Sequence, residues 1–171
     1  ERIVQMDLDF LPLKSYTNIA EGNALRIDWE SVVPKEKLNY IMGNPPFVGY
    51  SLQSKEQKED ILSIYRDEKG KPYKTAGKID YVAGWYWKAA SMMQGTDIRT
   101  ALVSTNSICQ GEQVASIWEP LYKRFGIHID FAHRTFQWDS EASIKAHVHC
   151  VIVGFSVSEN QNKRIIFEGE R

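Results

Sequence analysis

Apolar residues recur along this chain with two different periods, and the switches between them predict an alternation of strands and helices. The clearest run is Asp80 to Gln94, where Val82, Trp85, Tyr86, Ala89 and Met93 fall at i, i+3, i+4, i+7 and i+11. That spacing puts them on one face of a helix, with Asp80 as a natural N-cap and Gly95 at its end. From Ser54 to Tyr65 a polar start leads into Ile61, Leu62, Ile64 and Tyr65, which predicts a surface helix capped by Ser54. A third helix is predicted from Glu112 to Arg124, with Pro120 expected to kink or split it. Strands are predicted at Leu38 to Met42, Arg99 to Val103, Ile127 to His133 and Val148 to Phe155, the last almost continuously apolar and therefore buried. Arg164 to Phe167 suits an edge strand, and Asn18 to Leu25 a short one.

Strands alternating with helices predict an α/β fold whose parallel sheet is covered by helices on both faces. At 171 residues the chain makes one domain with a real core and is too short for two ordinary ones. Residues 1–37 read as an irregular lead-in with a short strand, and residues 38–171 as the body of the domain. Residues 67–78 are charged and carry four lysines, which marks them as a solvated loop and the best candidate for mobility.

Charge and composition narrow the function. The net charge is −1, whereas a self-sufficient DNA-binding domain is usually basic. Any grip on phosphates would come from a local patch or from elsewhere in a longer protein, and a chain opening at Glu1 rather than Met suggests such a piece. Cys109 and Cys150 lie in apolar surroundings and read as small core residues of a reducing compartment. Neither a signal peptide nor an apolar run of roughly 18 residues is present, so a cytoplasmic location is expected, with no membrane contact.

The candidate chemistry sits where the first main strand runs out. Gly43 is followed by Asn44-Pro45-Pro46-Phe47. Two prolines fix the backbone and leave carbonyls without competing N–H groups, and the residue before a proline is driven to an extended conformation. The Asn44 oxygen and a carbonyl of the proline segment can then accept both hydrogens of one –NH2, while Phe47 offers a flat face for stacking. Such a site fits the exocyclic amine of a base, or an amide. The same residues also suit a plain Asn-Pro turn that ends a strand.

The surrounding segments carry a resemblance. They are Gly22-Asn23-Ala24-Leu25-Arg26-Ile27-Asp28-Trp29, Gly43 to Gly49, Asp80-Tyr81-Val82 with Trp85-Tyr86, and Val103 to Ser107 with Gln110 to Gln113. Phe131 to Trp138 and His147 to Phe155 complete the set. In this order they resemble the catalytic domain of S-adenosylmethionine-dependent amino-group DNA methyltransferases. The likeness is greatest to the adenine-N6 methylating region of type IIG and IIL single-chain restriction-modification enzymes. The resemblance implies that Asn44, Pro45, Pro46 and Phe47 receive an adenine flipped out of double-stranded DNA, because a stacked, paired base is out of reach. It implies that Phe136 stacks near that base, and that Asn23 or Asp28 contacts the cofactor's adenine. No metal is implied.

The departures from the family matter equally. No two glycines stand as G-x-G, and nothing before Gly22 resembles the glycine-rich strand–loop–helix unit that holds the cofactor. The expected fold is therefore a partial Rossmann-like class I methyltransferase sheet, its C-terminal half without the first strands. Such a segment is expected to be inactive alone and to self-associate through an unpaired sheet edge. Competing readings are a methyltransferase acting on a protein glutamine or an RNA amino group, and a non-catalytic DNA-binding fragment. Glu56-Gln57-Lys58 matches part of a nuclease site but lies on a predicted surface helix. His147 and His149 share a strand face, which is too little to expect zinc.

Overall fold

The computed structural model describes residues 18–138, 148–158 and 164–167. Its elements in chain order are α1 (Trp29–Val32), β1 (Tyr40–Gly43), α2 (Lys55–Ile64), α3 (Ala83–Met92), β2 (Arg99–Thr105), α4 (Gly111–Phe125), β3 (His128–Trp138), β4 (Val148–Ser156) and β5 (Ile165–Phe167). The five strands form one sheet in the order β1-β2-β4-β3-β5.

The α/β class holds, but the sheet is mixed rather than parallel. β1 runs parallel to β2 and β3 parallel to β5, whereas β4 lies antiparallel between β2 and β3. The reason is the connection. A parallel crossover takes a dozen or more residues and usually a helix, and the nine residues between β3 and β4 return the chain as an antiparallel neighbour.

Alternation along β2 sends Thr100, Leu102 and Ser104 to one face, where Val151, Val153 and Phe155 of β4 join them in the matching register. A layer of helices packs there. Tyr86 of α3 stacks on Phe155, with ring centroids 5.3 Å apart, and its hydroxyl meets Ser104 Oγ at 2.8 Å. Burial pushes the Tyr86 hydroxyl far above its ordinary pKa, so it stays a neutral hydrogen-bonding group. α3 is buried almost all round, with Tyr86, Ala89 and Met93 at the bottom of the core. The opposite sheet face carries Phe131, His133, Phe136 and Ile152, all half-buried. There Phe131 lies over Gly154, so close that a Cβ at Gly154 would stand 2.1 Å from the ring.

Ser54 caps α2 as its sequence suggests, in a reciprocal capping box with Gln57. Other local expectations fail. Residues 18–25 form turns instead of a strand, because the Asn23 side chain and carbonyl take the backbone N–H groups of Leu25, Arg26 and Ile27. α4 runs unbroken through Pro120, held on both sides of it by fully buried Ile117 and Leu121, and ends at Gly126 with φ +62°. Cys109 is exposed; only Cys150 is buried. Residues 67–78 are closely tied: Asp67 Oδ1 accepts from the N–H groups of Lys69 and Lys71, each at 2.9 Å, and Tyr73 N–H donates to the Tyr65 carbonyl at 3.0 Å. No described helix is long and apolar enough to cross a membrane.

Candidate functional site

β1 ends at Gly43 and the chain continues as the irregular segment 44–49. Here Pro45 is buried, Phe47 half-buried and Asn44 exposed, and the Asn44 amide has no hydrogen-bond partner among the described residues. The backbone is what holds this loop. Val48 N–H donates to the Pro46 carbonyl at 3.2 Å, the Val48 carbonyl accepts from Tyr81 N–H at 2.9 Å, and Leu52 N–H closes a turn on the Gly49 carbonyl at 2.9 Å. Tyr50 N–H donates to Asp80 Oδ1 at 3.0 Å, and Ser107 Oγ donates to Asp80 Oδ2 at 2.5 Å. Asp80 therefore does not cap α3 as its position in the sequence suggests; α3 begins at Ala83 without a side-chain cap. Gln113 of α4 completes the arrangement, accepting from Asp80 N–H at 3.1 Å and donating to the Lys78 carbonyl at 2.7 Å.

The turn holding Asn23 and Asp28 is built the other way, with side chains as ties. Asn23 Oδ1 takes Leu25 N–H at 2.9 Å, while its Nδ2 donates to Asp60 Oδ2 at 2.8 Å and to the Tyr81 hydroxyl at 3.4 Å. Asp60, buried at the end of the second turn of α2, also accepts from Tyr81 at 2.8 Å and from Arg26 Nε at 2.7 Å. Burial pushes the Asp60 carboxyl upward, but the hydrogen bonds from Arg26, Tyr81 and Asn23 outweigh it and hold the group below its ordinary pKa. Leu25 seats directly on α3 at Gly84, where a Cβ would stand 2.9 Å from Leu25 Cδ1. Lys88 then crosses from α3 to the carbonyls of Leu25 and Ile27 and lies 5.2 Å from the centre of the Trp29 ring. Burial lowers its pKa, opposed by the charge of Asp28.

Asp28 is exposed and caps α1, accepting from Glu30 N–H at 3.1 Å. Together with Lys88, Leu25 and Trp29 it lines a cavity of about 300 Å³. The two cofactor candidates thus face different surroundings. Asn23 is linked through Tyr81 to the loop of residues 44–49, whereas Asp28 is turned toward Lys88.

Phe136 belongs to the same end of the sheet, the carboxyl end of β1, β2 and β3, where α/β folds place their ligands. The register slips by one residue between His133 and Phe136, and this bulge brings both onto the face of Ile152 and Cys150. Their rings meet edge-on with centroids 5.3 Å apart. The strand order puts β3 three spacings from β1, or about 14 Å. Glu56 and Lys58 are exposed on α2. Among the described residues no group of three His, Cys, Asp or Glu side chains could hold a metal, and His147 lies outside the described residues.

Sequence reasoning missed Asp60, Tyr81, Asp80 and Ser107. Asp80 and Tyr81 stand in one of the segments that carry the resemblance, but their partners are distant in sequence and only the fold reveals them.

The family described as MmeI, DNA-methyltransferase domain, matches residues 2–168. The chain belongs to that family. It is 40% identical over 162 residues to DNA methyltransferase A of Bacillus subtilis (strain 168), covering 94% of this chain and 18% of that protein. A solved structure of the type IIL restriction-modification enzyme MmeI in complex with DNA shares 51% identity and a TM-score of 0.83, over 93% of this chain and 20% of that one. The chain thus spans about a fifth of the length of these relatives. The Rossmann-like methyltransferase fold and the type IIL likeness hold across nearly the whole MmeI-family segment.

Proposed function

We propose that this chain is the methyl-acceptor part of a site-specific DNA methyltransferase that modifies the N6 amino group of a flipped-out adenine. One observation carries the reading: an exposed Asn44 amide without a described partner stands on a strand-end loop whose backbone is pinned by neighbours. Asn44 Oδ1 and the Pro45 carbonyl would accept the two amino hydrogens and draw the nitrogen lone pair out of conjugation with the ring. Phe47 would stack on the base, with Phe136 as a second aromatic near it. Orientation and electrostatics suffice for this, without a covalent intermediate.

S-adenosylmethionine would supply an electrophilic methyl group. Its adenine amine and ribose hydroxyls are donors, and the chemistry here matches. Asp28 is an exposed carboxylate that accepts from Glu30 N–H on its own helix, and Asn23 Oδ1 keeps a second lone pair beside Leu25 N–H. Double-stranded DNA would be bound by the full-length protein, consistent with the DNA complex of the MmeI relative. The outer edge of β1, with Tyr40 and Met42 strongly exposed, supports self-association of the isolated segment. A monomer by light scattering would remove that part.

The central test is transfer of tritiated methyl groups by the full-length protein. DNA is expected to be labelled at adenine, and the label should vanish with Asn44→Ala. Labelling of protein glutamine or RNA instead would replace this reading with its rivals.

A further inference from the structure

Asp80 is buried, with 6% of its surface exposed, and a carboxylate in such a place is costly unless its oxygens are satisfied. Both are satisfied by one loop each. Oδ1 takes Tyr50 N–H from the segment that follows β1, and Oδ2 takes the hydroxyl of Ser107 from the turn that follows β2. Ser107 Oγ gives its one hydroxyl proton to that oxygen. Thr105 Oγ1, 2.7 Å from Ser107 Oγ, must then donate to Ser107. The result is a directed chain from Thr105 through Ser107 to Asp80, met from the other side by Tyr50. Gln113 fixes the Asp80 backbone from α4, and Tyr81 N–H holds the Val48 carbonyl one residue further along.

We infer that Asp80, locked by Ser107, is a positioning residue that sets where the Asn44–Phe47 loop stands relative to the carboxyl end of β2. The inference rests on the acceptor-loop reading above. A loop with two prolines has few N–H groups of its own with which to hold its place. The clamp therefore supplies from outside what the loop lacks, and the Asn44 amide has no partner among the described residues. β1 and β2 are adjacent parallel strands whose ends diverge into separate loops, and the Asp80 carboxylate is the shared point between them.

The test is single-turnover methyl transfer by the full-length protein on DNA containing its recognised sequence, with cofactor affinity measured in parallel by calorimetry. Misplacement of a reacting group by about 1 Å costs on the order of 100-fold in rate, so Asp80→Ala is expected to lose about that factor and Ser107→Ala about 10-fold. Cofactor affinity should stay near wild type in both, and Ser107→Thr should recover most of the rate, because it keeps the hydroxyl. Should Asp80→Ala fail to fold, Ser107→Ala decides. Ser107→Ala at the wild-type rate, or with rate and cofactor affinity falling together, overturns the clamp. Asn44→Ala separates the two ideas: if it is inactive while Ser107→Ala is fully active, only the clamp fails. If Asn44→Ala itself transfers methyl groups normally, the acceptor-loop reading fails.

Discussion

The acceptor loop and the Asn23–Asp28 turn are both irregular segments resting against the start of α3, but they are secured by opposite means. In the acceptor loop the backbone is held by Tyr81, Asp80 and internal turns, and the side chain of Asn44 has no hydrogen-bond partner among the described residues. In the turn the side chain of Asn23 does the holding, bonded to Leu25, Asp60 and Tyr81. The contrast teaches how to separate a chemical role from a structural one in the same residue type. An asparagine whose amide is idle can be replaced without loosening the fold. One whose amide is engaged on both sides cannot.

The largest effect expected is therefore at Asn44. Asn44→Ala in the full-length protein should cut methyl transfer by about 10²- to 10³-fold, the scale of losing a preorganised polar contact, with melting and cofactor affinity unchanged. A parallel loss of cofactor binding would make Asn44 structural and erase the contrast. Phe47 comes next. Stacking on a base is worth about 1–3 kcal/mol, so Phe47→Ala should lose transfer by that measure and Phe47→Trp should keep most of it. Equal losses would show Phe47 to be a packing residue.

On the other side of the comparison, Asn23→Ala should show in stability. Withdrawing its amide leaves Asp60 and Tyr81 short of a partner, a cost of about 1–2 kcal/mol in a denaturant melt. Asp28→Ala removes only the cap of a four-residue helix, worth about 0.5–1 kcal/mol, and would reveal a cofactor role as a weaker affinity without further unfolding. If Asn23→Ala melts like wild type, its bonds are incidental and it becomes the better cofactor candidate. The smallest effect is a matter of acidity. Asp60 is held below its ordinary pKa, so its stabilising contribution is complete above about pH 4, where the unfolded carboxyl is ionised. It is lost as pH falls through the lower folded value. Asp60→Asn should flatten that acid limb of the stability curve, and an unchanged limb would place the acid-sensitive contacts elsewhere.

Much of the fold was legible in the residues. The apolar spacing of Val82, Tyr86, Ala89 and Met93 marks α3, the polar start after Ser54 marks α2, and the apolar run ending at Phe155 marks a buried strand. These are local signals, because one segment's period and caps reflect the surface it presents. What was misread depends on partners. Asp80 satisfies every local criterion of a helix cap, yet Tyr50 and Ser107 claim it. Asn18 to Leu25 has a strand's composition, but Asn23 ties the backbone into a turn. Pro120 should break a helix, and buried neighbours on both sides keep it whole.

The candidate site divides along the same line. Asn44, Pro45, Pro46 and Phe47 are contiguous, and the restrictions on their backbone follow from the prolines themselves, so sequence alone determined that much of the loop. Where the loop stands, and that its amide has no partner among the described residues while Asn23's is engaged, only the tertiary structure decided. Those facts rest on Asp80 meeting Tyr50 across 30 residues and Asp60 meeting Asn23 across 37. A hydrogen bond over such a span exists only because the sheet and α3 bring its ends together, and no local pattern in the chain encodes it.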